Sequence, residues 1–423
     1  MQSAYSKLAA VLLLLASVAW AAPAQFSAQR RIGLTVGDQW EPAMAADALG
    51  RVYILYPHYG EVPECKACRI PTMLLVTSLD NGKTWLAPRV MLASGSGQFD
   101  PQIAVDPADR RTLFVAWLQG KKREVMVGRS NDSGATWLFT VAVRSSVELD
   151  KPALAVRGQN VYVGFNHEED VWVAYSQDGG RSFTSNPVNA AKRAGWSLLG
   201  GATVDPSGNA YLSWASYSKS GGARGPVDLF VGKSTDGGKT WNATHLDVSA
   251  AAPGCDTYDC SEAFLGAQIS IASDAGGTLY ALWSSGSKAL GPQKIYFSTS
   301  TNGNENWTPR VELPTAETGV EHAFPVVVAG SAGDVRVGWM DSRSAPYWNT
   351  YYRSSSNGGA TWSDEVRLSG YVPGYKYISE QGFRFPFGDY FGMAIDNHGD
   401  TQVVWGEGLN YQSPGSIWYS SGR

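Results

Sequence analysis

Residues 78–85 read SLDNGKTW, and close copies of this octet recur along the chain. The copies begin 46 to 66 residues apart, at Ser130, Ser176, Ser234, Ser300 and Ser355. Recurrence at a spacing of this order is typical of repeat architectures. An Asp or Asn followed by glycine suits a tight turn, because the short side chain accepts backbone N–H groups and glycine adopts positive φ freely. We therefore interpret the octet as a structural turn and not as a catalytic motif.

A second repeat runs in step with the octet and supplies the number of units. Seven apolar segments of strand character each end in an aromatic residue, namely Tyr56, Trp117, Phe165, Trp214, Trp283, Trp339 and Trp405. Each unit reads strand, turn, strand, loop, strand, octet, strand, and almost no segment has helical periodicity. Four-stranded units at this spacing predict an all-β fold, a seven-bladed β-propeller.

The seventh unit lacks an octet and a fourth strand, because the sequence ends with SIWYSSGR at residues 416–423. An open propeller would leave unpaired strand edges, which are prone to unwanted pairing. The segment AQRRIGLT at residues 28–35 resembles APRVML at 87–92, the fourth strand of the first unit. We therefore predict that the N-terminal strand completes the last blade and closes the ring.

The N-terminus has the pattern of a cleaved export signal. Lys7 precedes an apolar run at residues 8–21, and small-x-small cleavage sites follow. We predict a signal peptide over residues 1–24 and a single propeller domain over residues 25–423 of a secreted or periplasmic protein; a retained membrane anchor is the alternative. No later stretch approaches the ~20 apolar residues of a membrane helix. A net charge of −4 without a basic block argues against a nucleic-acid partner.

The four cysteines form two local pairs, Cys65/Cys68 in CKAC and Cys255/Cys260 in CDTYDC. Export permits disulfide bonds, so we expect two short-loop disulfides. A redox-active CxxC and a zinc site are the alternatives. No thioredoxin-like βαβ pattern surrounds Cys65, and the two pairs belong to different blades, which argues against a shared metal. We expect no metal and no cofactor.

The octet resembles the Asp box of bacterial neuraminidase repeats, called BNR repeats, and the resemblance covers nearly the whole chain after the leader. It implies a sialidase-like propeller with the Asp boxes on the face away from the active site. WMDSR at 339–343 and FGDYFGMA at 387–394 are similar to segments of secreted bacterial exo-α-sialidase-like proteins. Asp boxes occur on propellers with different functions, so the resemblance implies the fold more directly than the activity.

The topology of a four-stranded blade predicts which face is functional. Turns between strands 1 and 2 and between strands 3 and 4 share the Asp-box face, so the long loops gather on the opposite face, where function is usually found. Aligned first strands bring seven residues to the top of the central channel: Glu41, Asp100, Lys151, Leu199, Gln268, Phe324 and Tyr390.

Three of these seven residues, Tyr390, Glu41 and Asp100, lie on adjacent blades and are the candidate catalytic residues. A tyrosine flanked by carboxylates suits acid–base or nucleophilic chemistry. The alternative is a ring of solvated side chains around a water-filled pore.

Six further residues on the same face are candidate substrate-binding residues: Arg69, Arg343, Arg384, Asp341, Asp389 and His167. By resemblance, a sialidase would use a Tyr nucleophile with a Glu, an Asp acid–base and three Arg residues that bind the substrate carboxylate. The tripeptide RIP at 69–71 matches a sialidase motif in letters, but it lies in a loop between strands 2 and 3, and sialidases have six blades. A chance tripeptide is the alternative, and the contiguous acids beside His167 cannot all converge on a metal.

These observations lead to three hypotheses about function. The first is a protein directed at a glycan or glycoconjugate, a glycoside hydrolase of the sialidase-like kind, that works at the top of the channel. The second is a non-catalytic propeller that binds or assembles a protein or glycan partner. The third is a uronate polysaccharide lyase, in which His167 or His58 and a Tyr remove the proton α to the uronate carboxylate.

Overall fold

The computed structural model describes residues 24–63, 65–189, 195–255, 265–316, 318–386, 388, 390–410 and 413–423. Within these ranges all named elements are β-strands, and no helix is long and apolar enough to cross a membrane. The predicted leader peptide over 1–24 falls almost wholly outside the described residues. The strands are β1 (Arg30–Ile32), β2 (Asp38–Gln39), β3 (Ala43–Ala46), β4 (Val52–Tyr59), β5 (Thr72–Ser78), β6 (Arg89–Val90), β7 (Gln98–Val105), β8 (Leu113–Gln119), β9 (Glu124–Ser130), β10 (Leu138–Arg144), β11 (Leu149–Arg157), β12 (Asn160–His167), β13 (Asp170–Ser176), β14 (Thr184–Pro187), β15 (Ser197–Val204), β16 (Ala210–Lys219), β17 (Arg224–Ser234), β18 (Asn242–Ser249), β19 (Ile269–Ser273), β20 (Leu279–Ser285), β21 (Lys294–Ser300), β22 (Val311–Glu312), β23 (His322–Ala329), β24 (Val335–Ser344), β25 (Tyr347–Ser355), β26 (Val366–Arg367), β27 (Ile378–Ser379), β28 (Gly382–Phe383), β29 (Phe385–Pro386), β30 (Gly392–Ile395), β31 (Thr401–Asn410) and β32 (Ser413–Gly422).

The strands form seven antiparallel sheets, which are the seven predicted blades. The inner strands are β3, β7, β11, β15, β19, β23 and β30; each contacts the next, and β30 contacts β3. The prediction of a seven-bladed all-β propeller is therefore confirmed. The inner strands surround a central channel, and their first residues mark its top.

Each octet begins at the residue where the third strand of its blade ends, from Ser78 at the end of β5 to Ser355 at the end of β25. In the first octet the Ser78 hydroxyl donates to Asp80 at 2.8 Å, and Asp80 accepts the Thr84 N–H at 2.8 Å and the Thr84 hydroxyl at 2.6 Å. These hydrogen bonds, with that of the Thr84 hydroxyl foremost, lower the pKa of Asp80 to about 2. Both oxygens of the Asp80 carboxylate accept hydrogen bonds from residues of the same turn. This confirms the structural interpretation of the octet.

The blades pack through the aromatic residues that end their second strands. Trp117, Trp214, Trp283, Trp339 and Trp405 are at most 1% exposed. They occupy apolar clusters that join neighbouring blades, such as the one formed by Trp117 on β8 with Leu55 on β4. Large aromatic side chains contribute most of the apolar area that a core of this kind buries. The hydrophobic core therefore lies between the blades, and the channel is left for other groups.

The N-terminal segment closes the ring as predicted. Arg30 pairs with Tyr419 and Ile32 with Ile417, so β1 becomes the outer strand of the last blade beside β32. One residue earlier, the Gln29 amide donates to Glu407 at 2.8 Å. The indole of Trp405 donates to the other oxygen of Glu407 at 2.9 Å. Glu407 therefore anchors the closing segment from inside the blade.

Because Glu407 is buried, the stability of the folded protein, and with it the closure of the ring, depends on pH. Glu407 on β31 is fully buried, and burial raises its pKa to about 8; burial also raises the pKa of Glu321 to about 8. A carboxyl group with a raised pKa stays protonated in the folded state while the unfolded chain is already ionised. Stability is therefore greatest at low pH and falls as the pH rises from about 4.5 towards 8.

We predict that the free energy of unfolding decreases between pH 5 and pH 7 by up to about 1.4 kcal/mol per pH unit for each of these two glutamates. Glu407→Gln cannot ionise, so this variant should lose half of the slope that the pair contributes. Urea unfolding at several pH values measures it. Glu312→Gln, an exposed carboxyl group on β22, is the control and should keep the wild-type slope; equal slopes in Glu407→Gln and wild type would contradict the assignment.

Candidate functional site

Near the start of four inner strands, a residue of left-handed backbone is followed directly by proline. Glu41, Asp100, Lys151 and Phe324 have φ of 42°, 54°, 48° and 57°. These are four of the seven positions that the sequence alignment placed at the top of the channel, so that alignment is in register for their blades. A non-glycine residue rarely adopts positive φ, and a following proline restricts it further. Backbone conformations of this kind persist only where the surrounding structure enforces them, most often at functional sites.

A β-bulge lets two of these strands accommodate the left-handed residue and the proline that follows it. The ladder of β7 with β8 shifts register between Phe99 and Gln102, and that of β11 with β12 shifts between Asp150 and Ala153. Each shift is a β-bulge, which leaves residues out of the ladder and redirects their side chains. Proline has no N–H to donate, so a bulge is one of the few places in a sheet where it fits. The bulges thus set the direction of the side chains around the channel mouth.

A cavity of about 230 Å³ occupies the upper part of the channel. Its wall mixes apolar and polar groups: Leu199, Ile269 and Phe391 contribute apolar side chains, whereas Lys151, Gln268 and Tyr390 contribute polar ones. Small-ligand sites are usually concave and combine apolar surface with a few polar groups that orient the ligand. The cavity therefore has a charged margin at Lys151, on the side of blade 3, and apolar side chains that can contact the face of a ring.

Lys122 joins the charged residues of the mouth. It lies in the loop between β8 and β9, and its backbone carbonyl accepts the Leu149 N–H at 2.7 Å, which ties this loop to blade 3. Its ammonium group lies 3.1 Å from Asp100 Oδ2 and 3.3 Å from Asp150 Oδ1. One cation therefore contacts two carboxylates from two adjacent inner strands.

The pKa values of Asp100 and Asp150 are shifted in opposite directions. Burial raises the pKa of Asp100, and Lys122 offsets this only in part. Burial also acts on Asp150, but Lys151 and Lys122 outweigh it and lower the pKa of Asp150. The Asp100 side chain is 4% exposed and that of Asp150 is 41% exposed. A pair of carboxyl groups with opposite pKa shifts is the pattern of an acid and a base in one site.

The three predicted catalytic residues all lie beside this cluster. The Lys151 ammonium is 5.4 Å from the centroid of the Tyr390 ring, within cation–π range. Glu41 packs against Gly388, where a Cβ would come within 2.5 Å of Glu41 Cγ, and its charge helps to raise the pKa of Lys122. The Tyr390 hydroxyl is buried. The structure thus brings Glu41, Asp100 and Tyr390 to one mouth.

The WMDSR segment forms a separate ion-pair cluster on blade 6. Arg343 donates to Asp341 through Nε at 2.9 Å and through Nη2 at 2.6 Å, and it also pairs with Glu365. The guanidinium lies 3.8 Å above the centroid of the Tyr351 ring. Asp341 in turn accepts the Trp339 indole N–H at 3.0 Å. Arg343 and Asp341 are therefore occupied by each other and by groups of blade 6.

The remaining predicted substrate-binding residues are dispersed. Arg69 and Arg384 are exposed, and His167 is half-buried with its ring centroid 5.0 Å from that of Trp172. None of these three side chains, nor Arg343, lines the described part of the cavity wall. Asp389 lies outside the described residues. The described ranges contain no group of three or more His, Cys, Asp or Glu arranged to hold a metal ion.

Comparison with known proteins bears on this geometry. The family model described as a BNR repeat-like domain matches residues 12–252, more than half of the chain. The chain belongs to the BNR repeat-like family. No curated protein matches the sequence of this BNR propeller.

Two solved structures support the fold of the BNR propeller at low sequence identity, and a third has a lower TM-score. A protein of unknown function from Dyadobacter fermentans gives a TM-score of 0.52 at 14% identity, over 95% of this chain and 99% of that one. A polysaccharide lyase, the PL25 ulvan lyase, gives 0.53 at 13% identity, over 92% and 95%. The NanB sialidase from Streptococcus pneumoniae gives 0.48 at 12% identity, over 92% and 70%. Similarity at this level concerns the fold and not the reaction.

Two residues central to the mouth of the BNR propeller were not predicted as site residues. Asp150 directly precedes the aligned Lys151, and the prolines at 42, 101, 152 and 325 that mark the kinked strands would have drawn attention to it. Lys122 lies in the loop between the second and third strands of its blade, and this loop differs in length from blade to blade, so an alignment of the repeats does not single it out. Only the fold brings this loop to Asp100 and Asp150.

The left-handed backbone at Lys151 predicts an unusual order of stability. Lys151→Gly should be more stable than Lys151→Ala by about 1 kcal/mol, because both lose the side chain but only glycine adopts positive φ without strain. Urea unfolding measures the difference. Gln268 occupies the aligned position on blade 5 without positive φ, so there alanine should be the more stable of the same two substitutions. An alanine variant at 151 as stable as the glycine variant would show that this backbone is unstrained.

Proposed function

We propose that this BNR propeller is exported and acts on glycans at the top of its channel, as a glycoside hydrolase. The observation that carries the proposal is the contact of Lys122 with both Asp100 and Asp150, next in the chain to Lys151, which lines the cavity. Glycoside hydrolysis characteristically uses two carboxyl groups, one that keeps a proton and one that is ionised. Export is supported by the buried disulfide-bonded Cys255, since such bonds persist in oxidising compartments.

The opposite pKa shifts assign the two roles. Asp100, whose pKa is raised, is the general acid that protonates the glycosidic oxygen, as burial does for the acid of other glycosidases. Asp150 is held ionised by two lysines and is the exposed carboxylate that attacks the anomeric carbon. Both carboxylates contact one ammonium group, so the two carboxyl groups lie close to each other. The two carboxyl groups of retaining enzymes are about 5–5.5 Å apart and those of inverting enzymes about 6.5–9.5 Å apart, so the contact suits a retaining enzyme better. We therefore expect retention of anomeric configuration.

The surroundings of the carboxyl pair favour an acidic sugar. Lys151 lies at the margin of the cavity and is placed to receive a substrate carboxylate, while the Leu199 and Phe391 side of the wall receives the apolar face of the ring. Arg343 is paired within blade 6, and Arg69 and Arg384 do not line the described cavity wall, so we assign the recognition of the carboxylate to Lys151 and not to the three arginines. The substrate class is thus better described as glycans with carboxylated sugars than as sialosides alone.

The test is turnover of a panel of sialosides and uronic-acid polysaccharides. Asp100→Asn and Asp150→Asn should each lower kcat by about 10²–10⁴-fold, because each removes one proton-transfer or nucleophilic group. Glu312→Gln removes a carboxylate that pairs with Lys294 at 3.2 Å on the outer part of blade 5, and it should leave kcat unchanged. Full activity of Asp100→Asn or Asp150→Asn, or no turnover of any panel member, would contradict the hydrolase proposal.

A second candidate is the uronate lyase, favoured by the contact of Lys151 with the Tyr390 ring. In that reaction a cation neutralises the uronate carboxylate and a base removes the adjacent proton. His58 does not suit this role, because it is fully buried beneath Gly37 and Gly60. The PL25 ulvan lyase has been solved with -[GlcA(1-4)Rha3S]- bound, and a uronate-containing glycan is accordingly part of the panel.

The two reactions leave different products. Elimination creates an unsaturated sugar that absorbs in the ultraviolet, and hydrolysis does not. Ultraviolet absorbance that appears with turnover and is lost in Tyr390→Phe and Lys151→Met would favour the lyase over the hydrolase. Saturable binding of a panel member without turnover, weakened by Lys151→Met, would instead indicate a glycan-binding propeller that is not an enzyme.

A further inference from the structure

We propose that the Cys65–Cys68 disulfide is a thiol-exchange site, one that takes low-molecular-weight thiols or dithiols, and not a structural staple. The bond lies in the loop between β4 and β5 of blade 1, on the same face as the channel mouth. The proposal is independent of the glycan function, because it concerns the chemistry of the sulfur atoms alone.

Accessibility is the first argument. Lys66, Ala67 and Arg69 are exposed, and the two cysteines themselves are partly exposed. Thiol–disulfide exchange needs an attacking thiolate to approach one sulfur atom in line with the bond, so exposure governs the rate. Cys255, which is also disulfide-bonded, is 1% exposed and packs with Phe324 and Trp348 in the core of blade 6. Its proposed partner Cys260 lies outside the described residues.

The second argument is that the fold does not need the bond. Disulfide stabilisation grows with the length of the loop that is closed, and this one joins residues only three apart. The adjoining chain is held by other contacts: the Thr72 hydroxyl donates to the Arg69 carbonyl at 3.0 Å, and the Gln98 N–H donates to the Pro71 carbonyl at 2.8 Å. His58 and Thr72 pair across the start of the hairpin. Opening the bond therefore leaves both ends of the loop anchored.

The exchange itself balances without any further reagent. A thiolate of the reductant attacks Sγ of one cysteine, the Cys65–Cys68 bond breaks, and the other cysteine leaves as a thiolate that takes a proton. A second thiol, from another monothiol molecule or from the same dithiol, then resolves the mixed disulfide. The two cysteines end as thiols and the reductant ends as a disulfide, so two electrons pass from the reductant to the protein.

Selective reduction tests the proposal, and the chain carries its own control in Cys255. The folded protein is equilibrated with graded reduced and oxidised glutathione, and separately with dithiothreitol, then alkylated and analysed by peptide mass spectrometry. Cys65 and Cys68 should become labelled at a reductant concentration at least about tenfold below that needed for Cys255, the difference expected from exposed and buried bonds. Equal or greater resistance of Cys65 and Cys68 would overturn the proposal.

The structural alternative is tested by the variant Cys65→Ser/Cys68→Ser. The variant should fold with the near-ultraviolet circular dichroism of the wild type and with a Tm within a few degrees of it. Reduction of the wild type at the low thiol concentration should likewise leave the spectrum unchanged. Loss of the native spectrum in either experiment would show that the bond is a structural staple, and would overturn the proposal even if the bond is reduced first.

Discussion

The pairing of β1 with β32 is the interaction on which the rest of the structure depends. A propeller blade that ends in an unpaired strand exposes a row of backbone N–H and C=O groups, and these groups can pair with a strand of another chain. Arg30–Ile32 covers that edge, and the hydrogen bond of Gln29 to Glu407 fixes the segment to the middle of the blade. With the ring closed, the inner strands converge on one axis, and a channel follows from geometry alone.

Closure also gives the molecule two different faces, the Asp-box face and the face of the channel mouth. On the Asp-box face the carboxylate of the box is held by hydrogen bonds within its own turn, as Asp80 is by Thr84. On the opposite face the strands at Glu41, Asp100, Lys151 and Phe324 are kinked into left-handed backbone. The rigid ring supports these unfavourable conformations, and three of the kinks bring charged side chains to one mouth.

The charges at the mouth differ from those of a carboxylate-binding arginine cluster. Arg343 has its guanidinium engaged by Asp341 and Glu365, so binding a substrate carboxylate there would first cost two ion pairs. At the mouth the cations are Lys122 and Lys151, and Lys122 is bound on both sides by aspartates. Membership of the BNR repeat-like family therefore fixes the scaffold, while the chemistry depends on which side chains the kinked strands carry.

The sequence by itself determined the number of blades, the position of the Asp boxes and the closing strand, because these rest on local turn chemistry and on a pattern repeated seven times. It also placed Glu41, Asp100 and Tyr390 around one channel, because aligned repeats put equivalent residues at equivalent heights. Only the tertiary structure decided that Lys122, from the loop between β8 and β9, lies between Asp100 and Asp150, and that Arg343 is held within blade 6. Contacts of this kind join segments distant in the chain, and a repeat pattern carries no information about them.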